Sequence, residues 1–152
     1  MSPSLAEGRI RRAVAALQRA FGDRLLSVAL FGSRARGDAR EDSDIDLAVV
    51  LSERQGDAYA TAARALREHE LRDRPFISLV IWSRDELLAH PWLLIDVATD
   101  GRLLLDDGTL DRELDLVRAR LQSYGARRVP RENGGWYWDL KPDWKPGDVI
   151  EI

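Results

Sequence analysis

Apolar positions along the chain fall into two rhythms. Between Leu5 and Phe21, Ile10, Val14, Leu17 and Phe21 recur at helical spacing with arginines between them, and Gly22 stops the pattern. Leu25 to Phe31 is a short continuous apolar run closed by Gly32, the pattern of a buried strand. Arg34 to Ser43 is polar and predicts a loop, followed by a second strand, rich in Val and Ile, from Ile45 to Leu51. Ala58 to Leu71 is built of strong helix formers, and Pro75 announces a third strand from Phe76 to Trp82. Arg84–Ala89 and Trp92–Ala98 predict two short helices broken at His90-Pro91, then a strand over Gly101–Leu105 and a turn at Asp106-Asp107-Gly108. Thr109 is expected to cap a helix running to about Tyr124, with Leu114, Val117 and Leu121 on one face.

From Arg127 the composition changes, and Gly134 to Ile152 is a Gly/Trp/Pro-rich tail too short to be a domain. The expected organisation is one domain over 1–152, with a core of about 5–106 and a C-terminal helix and tail over about 109–152. The element order predicts a small mixed α/β (α+β) fold with a sheet flanked by helices and a Trp-rich extension. Trp82 and Trp92 are assigned to the core. Trp136, Trp138 and Trp144 sit in the tail, which is expected to fold back over the sheet or the last helix. A docking arm is the alternative, since tryptophan is enriched in interface hot spots.

Composition narrows the class. A chain of 152 residues suits one domain, and at that size roughly 70% of the unfolded surface is buried. There is no cysteine, which removes disulfides, a thiol nucleophile and Cys-ligated zinc. The net charge of −3 argues against a general nucleic-acid binder. No window approaches the ~20 apolar residues of a membrane helix, and Met1 to Glu7 lacks the pattern of a secretory signal. A cytoplasmic protein with no membrane contact is expected.

One segment concentrates chemistry: Leu30-Phe31-Gly32-Ser33-Arg34-Ala35-Arg36-Gly37-Asp38, then Ser43-Asp44-Ile45-Asp46-Leu47-Ala48-Val49-Val50. Gly32 and Gly37 have P-loop spacing, but Asp38 stands where the phosphate-binding lysine belongs. Asp42, Asp44, Asp46 and Glu53 match ligand positions of an EF-hand, but Leu47 replaces the glycine of its turn. A nucleophile elbow is excluded by Phe31, and His69 and His90 have no ligand-like spacing, which leaves them surface or helix-end roles.

A phosphate-and-metal reading fits. Asp44 and Asp46 alternate in phase, so on a strand both side chains leave one face about 7 Å apart. Two like charges there are costly unless a cation lies between them, and Mg²⁺ takes one or two carboxylates plus substrate phosphate oxygens. Gly32 lets backbone N–H groups approach a phosphate, and Ser33 adds a hydroxyl donor. Arg34, Arg36 and Arg40 have two open readings: phosphate contacts, or balance for Asp38, Glu41 and Asp42. An exposed edge strand with solvated acids is the bland counterpart of the whole segment.

Gly32-Ser33, a loop, and Ser43-Asp44-Ile45-Asp46-Leu47 resemble the signature of the DNA polymerase beta-like nucleotidyltransferases, specifically the minimal nucleotidyltransferase branch. The match is specific over Phe31 to Val50, and the element order fits to about Leu105; Trp138-Asp139-Leu140-Lys141-Pro142 with Lys145-Pro146-Gly147 resembles tails of some small members. The resemblance implies the polymerase beta-like fold and transfer of a nucleoside monophosphate from an NTP, AMP from ATP by preference, with pyrophosphate leaving. It implies that Gly32 and Ser33 hold the triphosphate and that Asp44 and Asp46 are the catalytic, Mg²⁺-binding carboxylates. It further implies a protein acceptor, as in pairs with a HEPN-domain protein that form toxin–antitoxin modules. Members carry a third carboxylate on a neighbouring strand; here the in-phase position is Ser78. Two alternatives therefore stand beside the leading reading: a nucleotide-binding interaction protein with impaired turnover, and a small-molecule (aminoglycoside-like) nucleotidyltransferase.

Overall fold

The computed structural model describes residues 3–152, with side chains from Leu5 onward. Four strands form one mixed sheet in the order β3-β2-β1-β4. They are β1 (Leu25–Phe31), β2 (Ile45–Leu51), β3 (Ile77–Ser83) and β4 (Arg102–Asp106). β1 pairs antiparallel with both β2 and β4, and β2 pairs parallel with β3. β1 and β2 lie in the middle and are buried on both faces, which is why both read as continuous apolar runs.

The two faces of the sheet carry separate cores. One packs Leu30, Ile45, Leu47, Val49 and Leu51 against α1 (Pro3–Phe21) and, after the four-residue α2 (Ser33–Arg36), α3 (Ala58–Glu68). The other packs Ala29, Ala48, Val50 and Trp82 against α4 (Arg84–Leu88), α5 (Leu94–Asp100) and α6 (Thr109–Tyr124). The result is a three-layer α/β/α arrangement, as the pattern predicted.

Three local expectations are corrected. Trp82 is 6% exposed, but Trp92 is 63% exposed: it precedes α5 on a turn and its side chain points away from the core. Thr109 is the first helical residue and not the cap. The α6 N-terminus is satisfied by Asp107, whose Oδ1 accepts from the Thr109 N–H at 2.9 Å, and by Asp106, which accepts from Leu110 at 3.2 Å and from the buried Ser27 hydroxyl at 2.6 Å. Residues 33–36 form a helical turn where a loop was expected.

The tail folds back. β5 (Arg127–Pro130) and β6 (Trp136–Asp139) make an antiparallel hairpin. Trp138, Leu140, Ile150 and Ile152 pack against the α4–α6 core. Arg128 lies over the rings of Trp136 (4.3 Å) and Trp138 (5.3 Å) and pairs with Asp100 of α5. Beyond the hairpin, the Ile152 backbone oxygen is 2.5 Å from His90 Nδ1 and accepts from Arg120 at 2.5 Å, while His90 Nε2 meets Glu113 at 2.5 Å. His69 caps the end of α3. Both histidines thus sit at helix ends.

Candidate functional site

β1 ends at Phe31, and the chain turns sharply into α2 through Gly32. Gly32 has φ 74° and ψ −158°, backbone open only to glycine. The turn is tight against β2: a Cβ on Gly32 would collide with Asp46 Oδ2. Glycine is thus required twice, for its dihedrals and for the space the carboxylate occupies. The Gly32 carbonyl accepts from Ala35 (3.1 Å) and Arg36 (3.0 Å), closing the turn that starts with Ser33.

Asp46 sits directly opposite Phe31 in the β1–β2 ladder, so the Gly-Ser turn and the carboxylate meet at the same end of the sheet. It shares a face with Ala48 and Val50, which pack against α4–α6. The side chain is half-buried. Burial foremost, and the nearby Asp44 charge, push its pKa up; Arg36 offsets part of this. Asp44 is exposed and lies one residue before β2 begins. The two carboxylates are close enough to repel, as the sequence pattern required, although only Asp46 belongs to the strand.

The loop from Asp38 to Ser43 is held by Arg34. Its Nε and Nη2 donate to the Ser43 carbonyl at 3.1 and 2.7 Å, and Nη2 also reaches the Glu41 carbonyl at 3.1 Å. The sequence reading of Arg34 did not include this role: its side chain donates to backbone carbonyls and pins the loop that delivers Asp44. Arg36 does pair with Asp38, at 3.3 Å. The sequence signal was only the coincidence of an arginine near a glycine turn, which has many readings.

Ser78 stands opposite Asp46 in the parallel β2–β3 ladder, and it is exposed. In-register residues of parallel strands point to the same side, so this hydroxyl flanks the Asp46 carboxylate. Among the described residues no group of three or more His, Cys, Asp or Glu is placed to hold a metal ion. Two carboxylates remain, a donor set that suits Mg²⁺ sharing its sphere with water and phosphate oxygens. Burial and the Asp44 charge disfavour an ionised Asp46, a cost that a cation shared by the two carboxylates would offset.

The α/β/α layers thus bring a Gly-Ser turn and an acidic strand together at one end of the mixed sheet. The sequence profile of the nucleotidyltransferase domain matches residues 10–103, more than half the chain. The chain belongs to the nucleotidyltransferase domain family. No curated protein matches it. Among solved structures, it is similar to a toxin–antitoxin complex with AMP-PNP (TM-score 0.51, 19% identity, 73% of this chain and 86% of that one). It is also similar to a mutant of the toxin–antitoxin pair MntA-HpeT (TM-score 0.52, 20% identity, 74% and 86%). A third likeness is to the spectinomycin adenyltransferase AAD(9) from Enterococcus faecialis with ATP and spectinomycin (TM-score 0.56, 19% identity, 78% and 66%). At these identities the likeness shows the fold.

Proposed function

We propose that this chain is a Mg²⁺-dependent nucleotidyltransferase that transfers AMP from ATP to a protein partner, of the kind found in a HEPN-type toxin–antitoxin pair. The observation that carries the reading is the contact of Gly32 with Asp46: the phosphate-binding turn and the acidic strand are built against each other. In this reading Gly32 and Ser33 cradle the triphosphate with backbone N–H groups and a hydroxyl. Asp44 and Asp46 hold the divalent ion, which when bound neutralises the phosphates and the charge developing at the α-phosphorus. Arg34 keeps the loop, and so Asp44, in position. The partner class is supported by the toxin–antitoxin structures of the same fold.

Ser78 favours a second reading. With Ser78 opposite Asp46, no third carboxylate stands at that position of β3 among the described residues to take the acceptor's proton, and a missing base costs roughly 10²–10⁴ in rate. The protein would then bind ATP and its partner without turning over.

Calorimetric titration with ATP, with and without Mg²⁺, tests the shared part of both readings. Saturable binding that needs Mg²⁺ and disappears in Asp44→Asn/Asp46→Asn supports the site. Binding indifferent to the metal, or intact in that variant, removes it. Ser78→Asp then separates the two: a gain of about tenfold or more in transfer of α-phosphate-labelled AMP to the partner identifies an impaired enzyme, whereas unchanged robust transfer identifies a working one.

A further inference from the structure

The face of the molecule formed by α1, α3 and the connection into β3 holds a cleft of about 660 Å³ lined by Arg9, Arg12, Arg67, Glu70, Arg72 and Asp73. Four guanidinium groups against two carboxylates leave a surplus of two positive charges in one concavity, on a protein whose net charge is −3. Two of the arginines are pinned by the fold. Arg9 donates through Nη2 to the carbonyls of Asp73 (2.8 Å) and Pro75 (2.9 Å), and Arg12 through Nη2 to those of His69 (3.2 Å) and Glu70 (3.4 Å). These contacts fix the two guanidiniums in place on neutral carbonyls after α3 and before β3, so the carboxylates of Glu70 and Asp73 are the negative charges that line the cleft. Arg9 Nε is buried without a hydrogen-bond partner. Burial and the neighbouring Arg12 charge lower the Arg9 pKa, with Asp73 opposing.

Arg67 and Arg72 differ from that pair. Both are exposed, and neither side chain makes a hydrogen bond or ion pair with another described residue. Like charges gathered in a concavity repel, and two of them are held there rigidly, so the arrangement is relieved by an anion between them. Guanidinium forks match tetrahedral phosphate oxygens two at a time, and a phosphate monoester carries about −1.5 to −2 near neutral pH, which meets the surplus.

We infer that the α1–α3 cleft is a binding site for a phosphate monoester, held by Arg12, Arg67 and Arg72 with Arg9 beneath. It lies on the opposite face of the sheet from Asp46, whose side chain shares the α4–α6 side, and it does not depend on the nucleotidyl-transfer reading.

Titration with inorganic phosphate, followed by calorimetry and by backbone amide shifts, tests it. Saturable binding is expected, with shifts confined to residues 9–12 and 67–73 and affinity falling as NaCl is raised. Arg67→Gln/Arg72→Gln, which removes like charge and no side-chain hydrogen bond or ion pair among the described residues, should melt no lower than the wild type and weaken binding about tenfold or more. Ribose 5-phosphate and AMP identify the source: tighter binding of AMP, retained in Asp44→Asn/Asp46→Asn, assigns a nucleotide, and equal affinities assign a sugar phosphate. No saturation, binding unchanged in the double arginine variant, or shifts confined to residues 32–46 would overturn the inference.

Discussion

Gly32 is the residue on which most of the candidate site turns. Its φ of 74° with ψ −158° costs a side-chain-bearing residue about 1–3 kcal/mol. The substituted Cβ would also drive Asp46 from its place. Gly32→Ala is therefore expected to lower stability by about that amount and to abolish Mg²⁺-dependent ATP binding, read by urea denaturation and calorimetry. Normal binding in a stable Gly32→Ala protein would show that the turn does not shape the site. Asp46 gives a second test. Its pKa is raised in the folded protein, so between the unfolded and folded values the native state binds more protons, and stability falls as pH climbs through that window. Asp46→Asn removes the ionisation. It should melt above the wild type at neutral pH and lose that advantage below the ordinary carboxylate range, and added Mg²⁺ should raise the wild type's melting temperature but not the variant's.

Among the elements, the strands and long helices were legible because their signals are local and strong. β1 and β2 match their apolar runs end to end, since central strands bury both faces. α1 and α6 follow the 3.6-residue pattern, and α3 its run of strong helix formers, to within a few positions at their ends. The candidate site was read from residue types and spacing, and Ser78, singled out through the family resemblance, does stand in register with Asp46. What did not show was set by contacts distant in sequence. Trp92 is apolar and helix-adjacent, yet nothing local says that its turn faces outward. The capping of α6 by Asp106 depends on Ser27 of β1. The loop tie is similar in kind. Arg34 acts on backbone carbonyls, which no side-chain pattern marks. Arg34→Met is expected to leave the sheet intact, raise amide exchange over residues 38–44 and weaken ATP binding about tenfold, the effect of a charged hydrogen bond lost. Unchanged exchange in that segment would assign Arg34 elsewhere.

For the molecule as a whole, the tail completes the second core. The α4–α6 face is closed by Trp138, Leu140, Ile150 and Ile152, and without them Leu121, Leu114 and their neighbours lose their cover. The hairpin is fastened to α5 by Arg128 and Trp138. Arg128 stacks on two indoles while its guanidinium meets Asp100, and Trp138 Nε1 lies 3.4 Å from Asp96. A cation held between rings contributes about 0.5–2 kcal/mol, and breaking a largely buried pair leaves Asp100 uncompensated, which adds to the loss. Arg128→Ala should therefore lower stability by about 2–4 kcal/mol, redden tryptophan emission as Trp136 and Trp138 reach water, and promote dye binding to the uncovered face. The same variant separates covering from docking. If the tail serves only as cover, partner binding falls no more than the folded population does, and Arg128→Lys restores part of the stability but little of the stacking. If partner binding is lost while the α4–α6 core stays closed, the aromatic hairpin is itself the surface the partner meets.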